Sequence, residues 1–138
     1  MTAPIISAYA GGFLIIMQGI LMVLTGLHRA KAGINLGLGD DPVMERKVRR
    51  HGNLAENAGI FLAALAIAEM TVVPHQTILI IAIGFVFARF CHAIALSTEA
   101  GSHGAQDGKI FVLARVIGAF GTLICFLALG GFLLFNLM

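Results

Sequence analysis

Four long apolar runs separated by polar stretches set the plan of this chain. The first, Ile5 to Leu27, carries no charged side chain. As a helix at about 1.5 Å per residue it reaches about 34 Å, slightly more than a hydrocarbon core of about 30 Å. The second, Leu54 to Val73, holds Glu56 and Glu69 near its two ends, and Pro74-His75-Gln76 then breaks it with almost no loop. It should form a tight antiparallel hairpin with the third run, about Thr77 to Ser97, which is apolar except for Arg89 and His92 near its end. A glycine-rich connection, STEAGSHGAQDGK at 97–109, leads into the last run, Ile110 to about Asn136, where Arg115 is the one charge. The pattern predicts an all-α integral membrane protein, one domain over 1–138, with spans at about 5–27, 54–73, 77–97 and 110–136.

Composition agrees with that plan. Of the 138 residues 59% are hydrophobic and 12% charged, against about 25% charged in soluble domains. The net charge of +2 is small, but six of the nine Lys and Arg (Arg29, Lys31, Arg46, Lys47, Arg49, Arg50) crowd between residues 29 and 50. Lys109 adds one to the third loop, and the hairpin at Pro74 has none. Positive residues flanking spans stay cytoplasmic, so loops 28–53 and 97–109 are expected in the cytoplasm, with both termini on the opposite side. Met1 to Pro4 has no positive n-region and the run after it is too long for a signal sequence, so the first span should remain in the mature protein.

Several features are read as packing. Cys91 and Cys125 lack metal or redox spacing and are expected to be buried, reduced thiols. Glycines at 11, 12, 19, 118, 121, 130 and 131 are expected at close helix contacts. No metal motif accompanies His92, and the RKVRR stretch leads straight into a span, which favours anionic headgroups over nucleic acid.

Charge at membrane depth is expensive and normally faces a protein interior or a wet cavity. If Glu45 to Val73 is one helix, at about 100° per residue Asn53 lies roughly 40° from Arg49, Glu56 about 20° to its other side, and Arg46 roughly 60° away. One face thus carries guanidinium, carboxamide and carboxylate in a column, while His51, at about 200°, faces away. Arg89 and His92 share a face of the third span, and Arg115, Gly118 and Thr122 share one on the fourth. Converged, these faces make a polar pocket with two open readings. One is a site for a zwitterion with more than one carboxylate. The other is an internal ion-pair network, Glu56 with Arg49 or Arg89, that needs no ligand.

The string Arg49-Arg50-His51-Gly52-Asn53-Leu54-Ala55-Glu56, R-x-H-x-N-x-x-E, resembles the second-helix signature of the MAPEG proteins, the membrane-associated proteins of eicosanoid and glutathione metabolism. Glu45-Arg46 before it, Arg29 after span one, Arg89-Phe90-Cys91-His92 and Arg115-Val116-Ile117-Gly118 with Thr122 are also similar to family features, closest to bacterial-type, microsomal glutathione transferase-like members. The resemblance implies a homotrimer of four-helix subunits, in a bacterial inner membrane, with glutathione as co-substrate between neighbouring subunits and no metal. By matching positions it puts Arg49, Asn53 and Glu56 on the glutathione backbone, with Arg29, His51, Arg89 and His92 around them. Arg115 would stabilise the thiolate, with Lys109 the alternative cation.

The function this implies is a glutathione-dependent membrane enzyme, conjugating apolar electrophiles or reducing lipid hydroperoxides. A different class remains beside it, a non-catalytic trimeric membrane protein that binds a lipid or anionic ligand at the same arginines. A small transporter is disfavoured, since the charges gather at one face and not at the midplane.

Overall fold

The computed structural model describes residues 3–71, 73–99 and 108–136. Four helices account for nearly all of them: α1 (Ile5–Ala32), α2 (Pro42–Met70), α3 (His75–Ala95) and α4 (Lys109–Asn136). Each of the four apolar runs falls mainly in one helix, the second and third ending past the helix ends at Met70 and Ala95, and the described residues include no strand. Helices α1, α3 and α4 are long and apolar enough to cross a membrane by length and composition, and α2 is not among them. The physical reason is that α2 joins a charged amphipathic half, 42–53, to an apolar half that still carries Glu56 and Glu69.

Successive helices pack antiparallel, as contacts far apart in sequence show. Glu69 at one end of α2 meets Ile6 and Ser7 at the start of α1, while Asp41 at the other meets His28. Phe61 of α2 stacks on Phe85 of α3 with centroids 3.6 Å apart, and Phe126 of α4 closes the trio at 5.9 Å from each. With Leu14, Leu65 and Ile78, fully buried, these rings make the core of the bundle. The outer faces of α1 and α4 remain apolar and exposed, from Tyr9 and Ile16 on one to Phe120 and Phe135 on the other, as expected where lipid or another subunit is the neighbour.

The helix ends explain how the charged region is held. Helix α1 stops at Gly33, whose φ of 68° is left-handed, and the Ile34 N–H returns to the Arg29 carbonyl at 3.0 Å. Asp41 then caps α2, accepting from the Val43 and Met44 N–H groups at 2.7 and 3.1 Å, with Pro42 in the first turn. Its other oxygen lies 2.7 Å from His28 Nε2. That contact, together with the cap, holds the Asp41 carboxyl below its ordinary pKa. At the far end α1 has no side-chain cap of its own. Buried Glu69 takes over, accepting from the Ile6 and Ser7 N–H groups, both at 2.8 Å, and from Ser7 Oγ at 2.6 Å.

Two packing expectations change. Gly12, Gly19, Gly130 and Gly131 have no neighbour within the chain that a Cβ would meet. Gly118 and Gly121, by contrast, sit where α4 crosses α3: a Cβ on Gly118 would come within 2.7–2.9 Å of His92. Both cysteines are free, but only Cys125 is buried, while Cys91, near the C-terminal end of α3, is half-buried.

Candidate functional site

The i, i+3/i+4, i+7 pattern on the first half of α2 puts Pro42, Glu45, Arg46, Arg49 and Asn53 on one face. His92 and Leu96 from the end of α3 and Arg115 from the second turn of α4 close against it. Together they line a cavity of about 370 Å³, toward the small end of the roughly 300–1,000 Å³ typical of ligand sites. Three guanidinium groups, a carboxylate, a carboxamide and an imidazole thus surround one space.

Arg89 lies behind this cavity, and does not line it. It is 3% exposed, and its two terminal nitrogens are engaged by neutral acceptors while buried Nε meets none among the described residues. Nη1 donates to Asn53 Oδ1 at 2.5 Å, and Nη2 donates to the Gly118 carbonyl at 2.8 Å and to Thr122 Oγ1. Thr122 Oγ1 in turn donates to the Gly118 carbonyl at 2.7 Å, and the Arg89 guanidinium carbon sits 5.7 Å from the Phe85 ring centre. Arg89 therefore ties α3 to α2 and α4 at once. With its amide oxygen spent on Arg89, Asn53 can offer the cavity its N–H groups, which suit a carboxylate.

Arg49, on the cavity wall, pairs at 3.6 Å with Glu56, which is not part of that wall, each side chain more than half exposed. Of the two ion pairs weighed for Glu56 from sequence, this is the one formed. Arg46 pairs with Glu99, just past α3, at 3.2 Å. Within one chain the remaining two candidates do not reach the cavity. The Arg29 guanidinium donates to the Ile34 and Gly37 carbonyls, at 3.3 and 3.0 Å, and so braces the α1–α2 loop. His51 faces away, as its angle predicts, and its carbonyl accepts from Gln18 of α1 at 3.4 Å. Lys109, the first residue of α4, is exposed and outside the cavity wall, whereas Arg115 is part of it. Of the 97–109 connection, positions 100–107 lie outside the described residues.

Pro42, Glu45, Arg46 and Leu96 line the cavity beyond the site residues that the sequence assigns. Glu45, four before Arg49, shares its face, and that spacing alone could have found it. Leu96 carried no signal, since its place depends on where α3 ends. Among the described residues no cluster of His, Cys, Asp or Glu could hold a metal ion. A second cavity, about 450 Å³, opens between α1 and α3 with apolar walls that include Tyr9, Phe13, Phe87 and Phe90.

An all-helical membrane bundle with an arginine-lined cavity at one end of its helices is the class that fold and site define. The family model described as the MAPEG family matches residues 7–135, nearly the whole chain, and the chain belongs to that family. The family contains glutathione-dependent transferases and peroxidases as well as non-catalytic members. No curated protein and no solved structure matches the chain.

Proposed function

We propose that the protein is a glutathione-dependent enzyme of a bacterial inner membrane, acting as a homotrimer with the arginine cavity at its cytoplasmic face. The observation that carries this reading is the joint lining of one cavity by Arg46, Arg49 and Arg115 with Glu45 and Asn53. Glutathione offers two carboxylates and one ammonium, which several guanidinium groups, a carboxamide N–H and one carboxylate complement. The outward placement of Arg49 and Glu56, both more than half exposed at the edge of a span, is costly beside lipid and favours a neighbouring subunit over that face.

The chemistry asked of the site is small. A free thiol has a pKa of about 8.5 and is mostly protonated at neutral pH. A guanidinium beside the sulfur in a low-dielectric cavity favours the thiolate, and Arg115 is the cation assigned to that role. With a carbon electrophile, the sulfur lone pair forms the S–C bond as the leaving group departs with its electrons. With a lipid hydroperoxide, sulfur takes the terminal oxygen as the O–O bond breaks, giving an alcohol and a sulfenic acid, which a second glutathione reduces to the disulfide and water. Apolar substrates dissolved in the bilayer would reach the thiolate laterally.

A second reading has its own support, since Arg46 and Arg49 already hold carboxylates of their own chain. A non-catalytic trimer that binds a lipid or another anion would use the same groups. Titrating the purified protein with glutathione while following thiolate absorbance separates the two. The enzyme reading expects a saturable thiolate signal, lost in Arg115→Ala with binding retained, and weakened binding in Arg49→Ala. Absence of binding at millimolar glutathione leaves the scaffold.

A further inference from the structure

Arg89 behind the cavity and Arg49 and Arg46 on its wall meet different kinds of partner, and the difference decides what each can do for a ligand. Arg89 is buried and divided among acceptors on two neighbouring helices, so no ligand could take it without opening the bundle. Arg49 is exposed and its Glu56 is seven residues on in the same helix, at 3.6 Å. Arg46 is the intermediate case. Its side chain is only 18% exposed and lines the cavity, yet it contacts Glu99 through Nη2 alone, and the Glu99 side chain is 78% exposed.

We infer that Arg46 is a ligand-carboxylate residue and that Glu99 is its internal stand-in, marking where an incoming carboxylate binds and competing with it. The inference rests on the reading of the cavity as a glutathione site. A single-contact pair with one partner in water is weak. A ligand carboxylate that engages the planar guanidinium through both oxygens makes a stronger, better oriented contact, and a displaced Glu99 returns to water with little loss. Arg46 and Arg49 are three residues apart, about 4.5 Å along the helix axis, so one ligand with two carboxylates can address both. The sequence places Arg46 on the cavity stripe, but nothing in it pairs this residue with a carboxylate 53 positions away.

The proposal predicts that glutathione affinity is held down by Glu99. In the full-length protein in detergent, calorimetric titration with glutathione should give binding about 3–10-fold tighter in Glu99→Gln than in the wild type. Arg46→Gln should bind at least about tenfold more weakly, Arg46→Lys should fall between, and Glu99→Gln should have no effect in the Arg46→Gln background. That last result separates direct competition from the general benefit to an anion of removing a negative charge. Unchanged or weaker binding in Glu99→Gln overturns the proposal and makes Glu99 a brace that positions Arg46. If Arg49→Ala still loses binding in that case, the glutathione reading stands and only this inference falls. If neither the wild type nor any variant binds glutathione, both are overturned.

Discussion

Arg89, Arg49 and Arg46 are the same residue type at the same end of the bundle, and their burial and partners distinguish them. Arg89 is a structural cation, sharing its guanidinium among Asn53, Gly118 and Thr122. In Arg89→Met the apolar stem is kept and the donors are lost. Relief from burying a charge offsets part of this, but Asn53 and Thr122 are left in a half-dismantled network, which is worse than an intact one. At about 1.5–3 kcal/mol for a hydrogen bond to a charged group, we expect a net loss on the order of 3 kcal/mol, read as a lowered thermal midpoint in detergent. An unchanged midpoint would return Arg89 to the list of ligand residues. The family resemblance places Arg89 among the residues around glutathione. What reassigns its nearest role is the Gly118 carbonyl, an acceptor that exists only where α4 packs against α3.

Between elements, the contact that matters most for the site is α3 against α4. Gly118 lets the two backbones approach so closely that any Cβ would strike the His92 backbone N and Cα. Those atoms belong to a helix and cannot swing aside. Gly118→Ala is therefore expected to push α4 outward and cost about 1–3 kcal/mol, with a further loss of glutathione binding as Arg115 and His92 separate. Gly26→Ala, with open space around it, should change stability by less than about 1 kcal/mol. Equal effects of the two substitutions, measured by thermal unfolding, would rule out the crossing as the cause. Helix existence is legible from apolar run length and the break between α2 and α3 from Pro74, whereas the start of α2 at Pro42, three residues before the Glu45 taken from sequence, follows from the Asp41 cap. The glycines are not equally legible: those at 118 and 121 mark a crossing while those at 12, 19, 130 and 131 leave open space for a Cβ, a difference set by how the helices lie against each other.

For the whole molecule, the bundle leaves one feature incomplete by itself, the Arg49–Glu56 pair facing outward beside apolar helix surfaces. The proposed homotrimer covers it, and mass measurement in detergent is expected to give three copies of the 14.5 kDa chain. A monomer under conditions where glutathione binds would sink the trimer and place the whole site within one chain. By itself the sequence determined the four helices, the membrane class, the family and the polar column of α2, because run length, charge placement and helical period are local properties that any packing must respect. The tertiary structure decided which charges share the cavity, that Arg46 meets Glu99, that Arg89 stands behind the wall, and that Arg29 and His51 serve the α1 side of the same chain. Apart from the local Arg29 contacts, those outcomes depend on distances between residues 29 to 53 positions apart, and such distances follow from how helices cross, which no single helix encodes.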